Sequence, residues 1–168
     1  EATQYLINKG HRRIAHITGA LDTNTGIRRA DGYKKALQDH GIDIDEKLIF
    51  EGDFSQESGY LAMKEILERS NGLTAVFAGN DMMALGAYRA IYDAGLKIPE
   101  DISIIGHDDF ALASLVRPAL TTMQQPIYKI GKLAAGLLID IIKGKDNKEL
   151  LIVVNTSLVE RSSVKTIN

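Results

Sequence analysis

Four short stretches set polar, acidic or aromatic side chains directly behind apolar runs. They are the loop after Gly19 that leads to Arg29, the pair Asp53-Phe54, the pair Asn80-Asp81, and His107-Asp108-Asp109. Two chemistries use such residues. Asp53, Asp81, Asp108 and Asp109 drawn together would offer Mg²⁺ an oxygen cage for phosphoryl transfer. That chemistry calls for carboxylates spaced D-x-D, or a strand-end lysine against phosphate, and neither is present. There is no G-x-S-x-G elbow, P-loop or G-x-G-x-x-G turn. The four histidines lack metal-ligand spacing, and the absence of cysteine excludes thiol catalysis, disulfides and Cys-ligated zinc. The reading is therefore of a protein that is not an enzyme, with no catalytic residue, metal or cofactor.

The second chemistry is recognition of a polyol. A sugar needs a carboxylate to accept from neighbouring hydroxyls, an arginine and an amide to donate, and an aromatic ring against its C–H face. Asp108, Arg29, Asn80 and Phe54 supply that set. Each has a plainer use. Asp108 or Asp109 caps the next helix, Asn80 and Asp81 cap a helix beginning at Met82, Phe54 is core, and Arg29 is a surface cation. Four complementary types at neighbouring strand ends favour the binding reading, which gives Asp108 to the ligand and Asp109 to the turn.

The elements that must position these residues are legible from periodicity. Helices are predicted near 1–9, 27–40, 56–69 and 82–95, with strands at 13–19, 47–54, 74–81 and 101–109 between them. Near-continuous apolar strands alternating with helices predict an α/β fold with a parallel sheet covered on both faces. Ligands bind such sheets in the crevice at the carboxyl ends of the strands. The helix 82–95 carries more apolar residues than packing on a sheet uses, and its second face is assigned to a subunit interface. The last third differs: a short extended segment at 120–126, a strongly apolar helix at 127–143, and a long strand-like run at 149–163.

The 168 residues suffice for one domain or for two small lobes sharing a sheet, and a net charge of −2 without clustered Lys and Arg argues against this segment gripping nucleic acid by itself. No apolar run reaches membrane-spanning length. The opening "EATQYLINKG" already reads as a helix in progress, so the chain is expected to be a fragment whose natural N-terminus is missing.

The stretches "NKGHRRIAHITG" (8–19), "RRADGYKKAL" (28–37), "EGDFSQESGY" (51–60), "GNDMMALGAYRAIYDAGLKIPEDISIIGHDDFALASLVRPALTTMQQP" (79–126) and "LVERSS" (158–163) together resemble the LacI/GalR family of bacterial transcription regulators. The resemblance implies a periplasmic-binding-protein-like core of two flavodoxin-like lobes, one nearly complete here and the other truncated. Residues 1–121 would form the C-terminal lobe, 122–148 a crossover and a helix of the truncated N-terminal lobe, and 149–168 a returning strand and tail. That helix would then expose an apolar face. The DNA-binding headpiece would be absent. Arg29, Phe54, Asn80 and Asp108 match the family's effector-contacting positions, and the resemblance adds Gln125 near the crossover. It implies a cytoplasmic homodimer that binds operator DNA through the missing headpiece and responds to a small-molecule effector. Thr23 stands where the purine-responsive branch carries an arginine, which favours a sugar, ribose-like first. His107 replaces the commoner Tyr or Phe. A transporter's periplasmic sugar-binding protein and a catabolite-control or purine-type regulator are the alternatives.

Overall fold

The four apolar runs lying between helices all become strands of one sheet. In a computed structural model, residues 1–145 and 152–167 are described. The strands are β1 (Ile14–Thr18), β2 (Ile49–Glu51), β3 (Ala75–Ala78), β4 (Ser103–Asp108), β5 (Thr121–Gln124) and β6 (Ser157–Val159). They lie in the order β2-β1-β3-β4-β5-β6, with β6 antiparallel to β5 and the other pairs parallel. The chain leaves β1 toward one edge and β3 toward the other, so their carboxyl ends flank the switch point where open α/β sheets form a crevice.

Side-chain alternation divides the core between two faces. Ile14, Ala75, Phe77 and Ile105 point to one side, under α1 (Ala2–Asn8) and α2 (Asn24–Asp39), against Leu6, Tyr33 and Leu37. Ala15, Ile17, Val76 and Ile104 point to the other, under α3 (Gln56–Arg69) and α4 (Asp81–Asp93), against Met63, Ile66, Met83 and Ile91. Both faces are covered, which is why these strands carry no polar alternation.

Local polar chemistry moved several boundaries. Helix α2 starts at Asn24 rather than 27, because Thr23 Oγ1 accepts from the Gly26 N–H at 3.0 Å. The run expected as a strand from 47 begins instead as a 3-10 turn over Glu46–Leu48, capped by the Asp45 side chain, and leaves only Ile49–Glu51 extended. A short helix unforeseen from the sequence, α5 (Ala111–Leu115), follows β4. Two histidines are fully buried and hydrogen-bonded: His11, and His16 stacked between Tyr33 and Phe77. Burial pushes His16 down to about 4, so it is neutral, with Nδ1 donating to the Phe77 carbonyl oxygen at 2.8 Å.

The predicted boundary at 121/122 falls inside β5, which pairs in parallel with β4. Of the strand-like run 149–163, only Ser157–Val159 is a strand, and residues 149–151 lie outside the described residues together with the boundary at 148/149. Helix α6 (Ile127–Ile142) buries no residue. Tyr128 is 87% exposed and Ile142 76%, so the helix shows the exposed apolar face expected of it. No helix among the described residues is long and apolar enough to cross a membrane.

Stability should divide accordingly. Ile91→Ala, which empties a fully buried site in the α4 interface, is expected to cost about 2–5 kcal/mol in urea unfolding. Leu138→Ser on exposed α6 should change stability by no more than about 0.5 kcal/mol. Equal losses at the two positions would show that α6 is as tightly packed as α4.

Candidate functional site

The carboxyl end of β4 turns through two consecutive residues in the left-handed region, Asp108 with φ 116° and Asp109 with φ 62°. Neither is glycine, so the turn is strained and needs outside support. Each side chain is held. Asp108 Oδ1 accepts from Arg29 Nη2 at 3.3 Å and from Gln125 Nε2 at 2.5 Å, and lies 2.9 Å from His107 Nδ1. Asp109 was expected to serve the turn. Its carboxylate pairs with Arg161 Nη2 at 2.7 Å and accepts from Gln124 Nε2 at 2.7 Å, so the turn is tied to β5 and to the segment after β6, while α5 has no side-chain cap.

Arg29 projects from the second turn of α2 and spans three partners. It donates to the Gly79 carbonyl oxygen after β3, contacts His107 Nδ1 at 3.0 Å, and pairs with Asp108. His107 Nδ1 thus faces a donor and an acceptor at once. It serves Asp108 when it carries the proton and Arg29 when it does not. Both ends of the Arg29–Asp108 pair are largely buried, at 14% and 11% side-chain exposure. Burial opposes ionisation of Asp108, but donation from His107 and Gln125 and the charge of Arg29 outweigh it and hold the carboxyl below its ordinary range. Burial lowers Arg29 as well, against the pull of Asp108. Starting from a guanidinium, that shift still leaves it charged at neutral pH.

Phe54 also has a left-handed backbone, φ 69°. Its ring lies over Gly19, where a Cβ would stand 1.9 Å from the ring Cζ, so only glycine admits it. The Arg29 guanidinium carbon sits 5.9 Å from the centroid of the same ring. Asn80 is both cap and clamp: Oδ1 accepts from the Met83 N–H at 2.8 Å, and Nδ2 donates to the Phe54 carbonyl oxygen at 3.0 Å. Helix α4 accordingly begins at Asp81, one residue earlier than predicted.

The structure thus brings Arg29, Asp108 and Gln125 into direct contact, sets Phe54 beside Arg29, and joins Asn80 to Phe54 through the backbone. Asp53 stands apart: it is exposed and held near 2 by hydrogen bonds from the Ser55–Ser58 turn. Sequence reasoning noticed His107 and Asp81 without assigning them to the site. A cavity of about 200 Å³ opens on the other flank of Arg29, lined by Arg28, Tyr33, Phe77, His107 and Met123 among others. None of Phe54, Asn80, Asp108 and Gln125 lines it. No cluster of His, Cys, Asp or Glu able to hold a metal occurs among the described residues.

A family model described as a periplasmic binding protein-like domain matches residues 3–164. The chain belongs to that family. Within it, the HTH-type transcriptional repressor PurR of Vibrio atlanticus (strain LGP32) is 43% identical over 167 residues, which is 99% of this chain and 50% of the repressor. The structure of a transcriptional regulator CelR–cellobiose complex superposes with a TM-score of 0.94 at 41% identity, over 96% of this chain and 50% of that one. A lac repressor dimer bound to operator and the anti-inducer ONPF gives a TM-score of 0.90 at 32% identity, over 98% of this chain and 58% of that one. The resemblance to LacI/GalR effector-binding cores holds, and so does the periplasmic-binding-protein-like fold. The chain spans about half the length of the curated relatives it matches.

The low position of Asp108 has a signed consequence. An aspartate lowered in the folded state adds stability above the ordinary aspartate range, near 4, and that contribution is lost as pH falls through the lower folded value. Acid unfolding of the wild type should therefore steepen below about pH 4, and Asp108→Asn should be flatter there. Identical slopes would mean that Asp108 is not held by its neighbours.

Proposed function

We propose that this chain is the effector-binding part of a transcriptional regulator, a repressor, whose effector is a sugar, with a ribose-like pentose first. The observation that carries the reading is the triple contact at Asp108 Oδ1. It leaves Oδ2 without a protein partner among the described residues, so an ionised, orientated oxygen remains to accept from a hydroxyl pair. In this reading Arg29 supplies the donor, Phe54 beside it the ring face and Asn80, joined to Phe54, the amide, and Gln125 joins Asp108 to the chain beyond β5. The division into a C-terminal lobe (1–121), a crossover with a helix of the other lobe (122–148) and a returning segment (149–168) belongs to the same proposal. The exposed face of α6 supports it.

Effector held between two lobes favours one lobe arrangement and changes the separation of two headpieces in a dimer, and with it the fit to operator half-sites. Only differential affinity for the two arrangements produces that response. Dimerisation, operator binding through a headpiece and a cytoplasmic location are supported by the repressors to which the chain is similar.

A purine effector is the second reading, favoured by the identity to PurR repressors. Against it, Thr23 stands where the purine-responsive branch carries an arginine, and its hydroxyl is consumed in capping α2 and in donating to the Ala20 carbonyl oxygen at 2.6 Å. It offers a purine no donor. The cellobiose complex of CelR supports the sugar class.

Calorimetry on the full-length gene product should find a pentose or other sugar that binds, and Asp108→Ala should weaken it roughly 30-fold or more, about 2 kcal/mol for a charge-assisted hydrogen bond left unmade. Unchanged affinity in that variant overturns the anchor role. Binding of purines with no response to pentoses, hexoses or disaccharides selects the second reading.

A further inference from the structure

A second carboxylate lies behind the proposed anchor and has no part in the ligand contacts. Asp81 is the first residue of α4 and is 1% exposed. Capping does not require it, since Asn80 already caps that helix. Its two oxygens run to two other elements. Oδ1 accepts from Thr122 Oγ1 on β5 at 2.6 Å, and Oδ2 accepts from the Phe110 N–H at 2.9 Å, immediately after the left-handed pair Asp108–Asp109. The space for it is cut into β4: a Cβ on Gly106 would stand 2.3 Å from Asp81 Oδ1. Burial raises this carboxyl, and the donors from Thr122 and Phe110 oppose the rise. A buried carboxylate is costly unless its partners are specific.

Those partners are specific to one task. The side chains of Asp108 and Asp109 hold the turn through Arg29, Gln125, Arg161 and Gln124. Asp81 instead grips the backbone of the turn from inside the core. We infer that Asp81 is a positioning residue for effector binding. It pins the backbone after Asp108 so that the anchor carboxylate meets Arg29, and through Thr122 it ties that turn to β5, the strand that leads to Gln125. The consequence for binding rests on the reading of Asp108 as anchor; the positioning itself does not.

Two roles for Asp81 predict opposite signs. As a mere like charge it raises Asp108, so its removal would lower the Asp108 pKa further. As a clamp it keeps Asp108 among its donors, so its removal raises that pKa toward the ordinary aspartate range. The experiment is a ¹³C NMR pH titration of the Asp108 carboxyl in the wild type and in Asp81→Ala, Asp81→Asn and Thr122→Val. The clamp role predicts a rise in Asp81→Ala, a smaller rise in Thr122→Val, and a value near wild type in Asp81→Asn, whose amide still accepts from Phe110 and meets the Thr122 hydroxyl. An Asp108 pKa that falls or stays unchanged in Asp81→Ala overturns the inference. If that variant does not fold, the uncharged change Thr122→Val decides, and no rise there overturns it.

Calorimetry with ribose and with cellobiose on the full-length protein forms the second arm. Asp81→Ala should weaken whichever sugar binds at least tenfold, and should have no further effect in an Asp108→Ala background. Additive losses in the double variant overturn the positioning role. Failure of every sugar to bind wild type counts against the sugar reading alone, and the titration still decides the role of Asp81.

Discussion

Asp108 Oδ1 meets Arg29, His107 and Gln125, and these reach it from α2, from its own strand and from the segment after β5. An ionised oxygen withdrawn this far from water must be satisfied by the protein, and charge-assisted contacts are the strongest available for the purpose. Satisfying it has a structural consequence. Three segments distant in sequence must be brought within hydrogen-bond reach of one atom, and the parallel sheet does this by ending β1, β3, β4 and β5 along one edge. Among the described residues no protein donor reaches the second oxygen, Oδ2.

Several otherwise unrelated features follow from holding that edge in shape. The backbone is left-handed at Phe54, Asp108 and Asp109, all in the edge loops. Each costs about 1–3 kcal/mol and persists only where the surroundings over-determine it. Asn80 holds Phe54 by its carbonyl, Arg161 and Gln124 hold Asp109, and Gly19 yields the volume that the Phe54 ring occupies. Asn80 and Gly19 are buried, Arg161 is half-buried and Gln124 is exposed. The left-handed residues cluster at the carboxyl ends of the strands, above the two apolar layers.

The remaining third of the chain obeys a different constraint. Helix α6 has the composition of an element packed inside a protein and the exposure of one at a surface, since none of its apolar residues is buried and only a few, such as Leu133 and Leu137, are half-buried. Contiguous apolar exposure of this kind marks an interaction surface. The proposed core of two lobes, with segments crossing between them, would cover that face. Gln125, one residue past the end of β5, is bonded to Asp108 just before the chain enters α6.

The order of helices and strands and the parallel sheet were legible in the sequence, because burial on two faces leaves continuous apolar runs, and the candidate site residues were chosen because strand ends in such sheets converge. Arg29, Phe54, Asn80 and Asp108 were chosen on residue type and place alone, and Gln125 on the family resemblance. What the sequence could not carry was the partner of each polar group. Thr23 and Asp45 moved helix starts by local capping, a matter of a few ångströms that periodicity does not register. Asp109 found Arg161, and Asp81 found Thr122, across separations of 52 and 41 residues. Apolar patterning is written locally because it reflects which face is covered. Hydrogen-bond partners are set by which distant segments the packed sheet places side by side, and only the tertiary structure decides that.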